Sequence, residues 1–209
     1  MNIAPPFIAL KQRHRILSVL SVFALLCAAV LMASGQIAAG NKSQSTQGNV
    51  DQIRKSAEGG DAKAQYALSK MYSEGKGVSK DQQEAARWAR KSAEQGHVPG
   101  QNTLAYLYLV GEGVPQDLKQ SILWLEKAAE QNDLDAQTNL GQEYAMGLQL
   151  TKAYMWSTVA AQNGSDVGAE NRDQLRRFIS PSQAEDAQRE AREWWLAHPQ
   201  FKPKVKPKS

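Results

Sequence analysis

Residues 61–132 carry one 36-residue pattern written twice, and nothing else in the chain restricts its fold so strongly. When Asp61–Gly96 is set over His97–Asn132, Gln65 meets Gln101, Leu68 meets Leu104 and Tyr72 meets Tyr108. Gly75 and Gly77 meet Gly111 and Gly113, Val78 meets Val114, Asp81 meets Asp117 and Trp88 meets Trp124. Both copies close alike, with Lys91-Ser-Ala-Glu-Gln against Lys127-Ala-Ala-Glu-Gln. A fixed period of this length signals stacked supersecondary units rather than one closed core.

Within each copy the residues predict a helix, a glycine turn and a second helix. Ala64, Leu68, Met71 and Tyr72 fall at helical spacing, and Asp61 precedes them as an N-cap. Gly75 and Gly77 end that helix, because glycine takes positive φ at little cost. Asp81-Gln-Gln-Glu84 reads as the start of the second helix, and Pro115 stands two residues before the matching Asp117. Ala85, Ala89, Ser92 and Ala93 are small enough for close helix packing, with Trp88 as the large filler. Neither helix is long enough to be stable alone in water, so neighbouring units must supply the deficit.

The recurrent glycine pair, Asp, Trp and Ala-Ala resemble the Sel-one-like repeat family, a relative of the tetratricopeptide repeats, over about residues 50–164. The resemblance implies an all-α, right-handed α-solenoid of short antiparallel helix pairs, with first helices lining a concave surface. It also implies a non-enzymatic scaffold for protein–protein interaction. The third copy, 133–164, keeps Ala136, Leu140, Gly141, Tyr144, Gly147, Ala153, Trp156, Ala160, Ala161 and Gly164. It is four residues shorter between Tyr144 and Trp156, without the second glycine and the Asp, and Thr151 is its candidate cap. Some secreted relatives carry a disulfide in each repeat; no repeat here contains Cys, and the single Cys27 excludes an internal disulfide framework.

Partial units flank the three copies. Arg54-Lys-Ser-Ala-Glu58 repeats Arg90-Lys-Ser-Ala-Glu94, so residues 50–60 are expected to supply a lone second helix as an N-terminal cap. Residues 165–198 read as a degenerate fourth pair: a helix over Asp166–Phe178, held by Leu175 and Phe178, then a helix opened by Ser180-Pro-Ser-Gln183. Ala184, Ala187, Ala191 and Trp194 or Trp195 form its inner face, while Glu185/Arg189 and Arg189/Glu193 can pair on the outer one. The repeat domain thus spans 50–199.

Ahead of it, Lys11-Gln-Arg-His-Arg15 precedes the uncharged residues 16–33. As a helix at ~1.5 Å per residue these reach ~27 Å, close to the ~30 Å hydrocarbon core. Residues 1–35 are therefore either an uncleaved anchor, which suits the length better, or a signal peptide cleaved near Ala33-Ser-Gly35 or Ile37-Ala-Ala39. In both cases the basic flank places the rest of the chain outside a bacterial cytoplasm, in the cell envelope. Residues 36–49 are small and polar, a flexible linker. The tail 200–209 alternates Lys with Pro and reads as extended and solvated, with attraction to an anionic surface as its functional reading.

Charge and chemistry narrow the function. The net charge of +4 resides at the ends: of 25 Lys and Arg, four lie in residues 1–50 and four in the last eight, leaving 17 against 21 Asp and Glu. A mildly acidic repeat body gives no sign of nucleic-acid binding. The three histidines, His14, His97 and His198, are scattered, and no cluster has metal-ligand spacing. The glycines recur with the period and are turn glycines, not a phosphate loop. Neither catalysis nor a cofactor is expected, and Trp88, Trp124 and Trp156 are expected to be core. The expected partner is a protein or peptide, with the oligomeric state left open and an envelope polymer, peptidoglycan or exopolysaccharide, as the alternative ligand. With Leu68 and Tyr72 facing the core, Tyr66, Lys70 and Ser73 share the other side of the first helix. The register extends this stripe through Asn102, Tyr106 and Leu109 to Thr138, Gln142 and Ala145, a mixture suited to an extended peptide.

Overall fold

The computed structural model describes residues 48–204. The chain divides into two compact units, 1–50 and 51–209, and the fold given below is that of the second. The anchor or signal segment (16–33), nearly all of the linker and the last five residues of the tail lie outside the described residues. Among the described residues, no helix is long and apolar enough to cross a membrane.

Every described element is an α-helix. Helix α1 covers residues 48–58. The three copies then give α2 (Ala62–Glu74) with α3 (Gln82–Glu94), α4 (Val98–Val110) with α5 (Leu118–Ala129), and α6 (Leu134–Met146) with α7 (Leu150–Gln162). Helices α8 (Asp166–Leu175) and α9 (Pro181–Ala197) come last, and in place of the expected antiparallel pairing each packs on α7. From α2 to α8 each helix packs on the next, α2 also reaches α4, α6 reaches α8, and α9 folds back onto α7. This is the α-solenoid of helix pairs that the period predicts.

Local chemistry sets the helix ends as expected at most positions. Asp81 Oδ1 accepts from the N–H groups of Gln83 and Glu84, and Asp117 Oδ1 accepts from those of Lys119 and Gln120. Ser180 and Gln183 make a reciprocal capping box. Gly75, Gly77, Gly111 and Gly113 all have positive φ, and each turn closes when the Asp81 or Asp117 N–H donates to the Tyr72 or Tyr108 carbonyl at 2.9 Å. A Cβ on Gly113 would lie 1.9 Å from the Gln82 carbonyl oxygen, so this turn rests directly on the start of α3.

The third copy departs from expectation. Its turn is residues 147–149 alone, yet the Gln149 N–H still donates to the Tyr144 carbonyl at 2.9 Å. The left-handed position belongs to Leu148 (φ 56°), not to Gly147 (φ −78°). Thr151 is not the cap: the shorter turn brings the chain into α7 at Leu150, and Gln149 precedes it without a side-chain bond. Two further corrections fall in the last two helices. Helix α8 stops at Leu175, so Phe178 stands 73% exposed and Ile179 is buried instead. Arg189 binds Asp186 at 2.7 Å and reaches Glu193 at 3.9 Å, in place of the expected Glu185 contact. Asp186 lies one turn back on the same face, and its short side chain meets the guanidinium there.

The core follows the pattern. Leu68, Leu104 and Leu140 are fully buried, and Trp88, Trp124 and Trp156 are no more than 8% exposed. Ala85, Ala89, Ser92 and Ala93 are closed to solvent, as close packing requires. A small apolar cluster holds Ala57, Leu68 and Trp88; a larger one runs from Ala86 to Trp194. Side-chain amides close each copy on its own first helix through the buried Gln65, Gln101 and Gln137. Gln95 donates to Gln65 Oε1 at 2.6 Å, Gln131 to Gln101 Oε1 at 2.8 Å and Asn163 to Gln137 Oε1 at 3.0 Å.

Candidate binding groove

The stripe positions lie on the first helices and divide into two groups. On α2, Tyr66 is partly buried with its ring 5.5 Å from that of His97, and Lys70 Nζ stands 5.8 Å over the same ring. Lys70 is exposed and Ser73 partly buried. On α6, the Thr138 hydroxyl is engaged inward, donating to the Leu134 carbonyl at 2.8 Å and lying 2.9 Å from Ser165 Oγ, while Ala145 packs against the core. These positions are not among those lining the pocket between α4 and α6.

Asn102, Tyr106 and Leu109 from α4 and Gln142 from α6 do come together, around a pocket of about 160 Å³. Tyr106 is 56% exposed at its mouth. Four residues outside the predicted stripe complete the lining: Leu125, Asn139, Glu143 and Met146. Met146, 63% exposed, is a large apolar side chain left to solvent beside the tyrosine.

Glu143 is the unusual member, because it is only 4% exposed. The repeat register pairs it with Met71, partly buried, and Leu107, buried, so the third copy puts a carboxyl where the other two put an apolar side chain. Its Oε1 lies 2.9 Å from Ser121 Oγ, itself 2.8 Å from the Ala105 carbonyl oxygen. A hydroxyl has one proton, so Ser121 cannot donate to both acceptors at once. Both contacts are satisfied together when Glu143 carries a proton and donates to Ser121. Burial pushes the Glu143 carboxyl up to about 7, against a lowering by the Ser121 hydrogen bond. Glu143 Oε2 is buried without a hydrogen-bond partner.

Asn102 adds a second unmatched acceptor. Its Nδ2 donates to Asp133 Oδ1 at 2.8 Å, which fixes the amide orientation, and its buried Oδ1 has no partner. Nearby, the Tyr144 hydroxyl donates to Glu126; burial first, and then that carboxylate, hold the phenol above its ordinary range. Among the described residues, no group of His, Cys, Asp and Glu could hold a metal ion. The lining can receive hydrogen-bond donors and cover an apolar stem.

Comparison with known proteins agrees with the period. The model of the Sel1 repeat matches residues 62–97, 98–133 and 134–165. A crystal structure of a Sel1 repeat protein from Oxalobacter formigenes is 31% identical, with a TM-score of 0.53 over 60% of this chain and 98% of that one. A protective antigen present in uropathogenic Escherichia coli strains, displaying an SLR fold, is 26% identical with a TM-score of 0.51. That match covers 77% of this chain and 45% of the antigen. No curated protein matches the chain.

Proposed function

This chain belongs to the Sel1 repeat family, whose repeats are generally protein-interaction scaffolds, and from that premise we propose that it is a non-enzymatic adaptor of the bacterial cell envelope. Its first helices offer a groove in which an extended segment of a partner protein binds. The observation that carries this reading is the α4–α6 pocket, where side-chain amides, a tyrosine and the exposed Met146 converge. Residues 1–35 serve as the anchor or signal and 36–49 as the linker; of the expected tail 200–209, Phe201 packs against the core and stacks on His198 rather than lying in solvent.

The polymer-binding alternative draws less support. A glycan platform needs aromatic rings in rows, but the register places Lys70, Tyr106 and Gln142 in one row and Tyr66, Asn102 and Thr138 in the next. Changing Tyr66, Asn102 and Tyr106 together to Ala, followed by melting and by crosslinking capture from envelope extracts, tests the groove. Loss of a specific captured protein with an unchanged melt is the expected result. Capture that persists, or passes to glycan alone, overturns it.

A further inference from the structure

We propose that the pocket between α4 and α6 receives a long basic side chain, arginine or lysine, from the partner polypeptide, with its head group on Glu143 Oε2 and Asn102 Oδ1. The proposal deepens the groove reading and rests on it. Its basis is a mismatch between the pocket's acceptors and its donors. Two residues that line the pocket each carry a buried oxygen without a donor, and one of them, Glu143, is only 4% exposed. An isolated carboxylate is among the costliest groups to bury, and unmatched buried acceptors add to the cost. The chemistry that meets both oxygens is a cation with several N–H donors, as guanidinium and ammonium groups have.

The repeats show that this arrangement is local to one interface. Position 143 is Met71 and Leu107 in the first two copies, and Ser121 is replaced by Ala85 in the first and Ala153 in the third. Two departures from an apolar pattern therefore meet at 2.9 Å, against the one described pocket that the stripe residues share. An apolar pair at these positions would complete the packing as the other copies do.

The walls suit the rest of such a side chain. Leu109 and Leu125 offer apolar surface for a methylene stem, which basic side chains bury while the charged head reaches a polar partner. Tyr106 and Met146 are the exposed large hydrophobic side chains of the lining. Because both acceptor oxygens are closed to water in the ligand-free chain, docking must shift side chains of the lining to reach them.

The test uses the full-length chain in mild detergent at pH 8, with methyl-labelled methionine and three small probes. n-Butylguanidinium and n-butylammonium stand in for arginine and lysine side chains, and n-butanol is the uncharged control. The Met146 methyl signal, assigned through Met146→Leu, is expected to shift saturably with millimolar amounts of a cationic probe and not with n-butanol. The tighter of the two cations identifies the side chain. Glu143→Leu, which copies Leu107, and the isosteric Glu143→Gln should each weaken the response at least tenfold without lowering the melt. If Glu143→Leu fails to fold, the glutamine variant carries the comparison. An equal response to n-butanol, or a response that survives both substitutions, overturns the proposal. Partner capture lost in the Tyr66/Asn102/Tyr106 variant while probes fail to bind sinks the basic-side-chain assignment alone. Probe binding with capture unaffected in that variant sinks the groove reading instead.

Discussion

Gln131 Nε2 donates to Gln101 Oε1 across 2.8 Å, so the end of the second copy is tied to the first helix of the same copy by a buried amide. Gln131 Nε2 also lies 3.1 Å from the Gly96 carbonyl oxygen, which closes the copy before it. The same contact recurs as Gln95 with Gln65 and as Asn163 with Gln137. A side-chain amide bond thus repeats with the period, and the shorter Asn163 serves the shorter third copy.

Gln101→Ala should destabilise the chain by about 1–3 kcal/mol, from a lost hydrogen bond of about 1 kcal/mol and the space left behind. A double-mutant cycle with Gln131→Ala, read by chemical denaturation, should give a coupling of about 1 kcal/mol. Additive losses would remove the amide contact from the account of stability within each copy.

Gly113 and Gly60 both have positive φ, at 71° and 95°, but only Gly113 is pressed against another backbone. Gly60→Ala meets no atom within 4 Å and should cost about 1–2 kcal/mol of backbone strain alone. Gly113→Ala adds a collision with Gln82 and should cost about 1–3 kcal/mol more. Thermal melts of the two variants compare the effects directly; equal losses would contradict the contact.

Glu143 gives stability a pH dependence of definite sign. Its carboxyl is raised from the ordinary 4.5 to about 7, so the folded chain holds a proton that the unfolded chain releases between those values. Stability from this group is therefore intact below pH 4.5, falls as pH rises to about 7 and stays lost above it. At about 1.4 kcal/mol per pH unit the loss is on the order of 3–4 kcal/mol at most. Relative to the parent, Glu143→Gln should gain by that amount between pH 4.5 and 7.5 in urea unfolding. A flat difference would contradict the buried carboxyl.

Export is tested by joining alkaline phosphatase after residue 48, which should give active enzyme because Lys11, Arg13 and Arg15 hold the leader on the cytoplasmic side. A fusion active only after cell lysis and oxidation would refute an envelope location. Retention of residues 1–35 in the membrane pellet would favour the anchor over the signal.

The sequence made the repeated features readable because the period supplied its own internal comparison. Leu68, Leu104 and Leu140, the glycine pairs and the tryptophans could each be checked against a counterpart. The misreadings fall where that comparison ends. Leu148 takes the left-handed turn position because the third copy has only three residues to span two helices. Phe178 and Ile179 are adjacent, and the end of α8 at Leu175 decides which one turns inward. Arg189 had acidic neighbours at both three and four residues' distance, and helical spacing alone does not choose between them. Glu143 was missed because the stripe followed the exposed side of the helix. The signal was its mismatch with Met71 and Leu107, which marks it in the sequence once the three copies are aligned.

The separation of the apolar core into a small cluster around Leu68 and Trp88 and a large one ending at Trp194 gives the array a direction of yielding. Helix α3 contributes Trp88 to the first and Ala86, Ala89 and Ala93 to the second, so it acts as the clamp between them. Under tension applied through the N-terminal side of the folded unit, α1 and α2 should peel away first while α4 to α9 keep their shared core. Amide exchange should follow the same order, with α2 fast and α6 slow. The adaptor would then behave as a tether with a sacrificial first link.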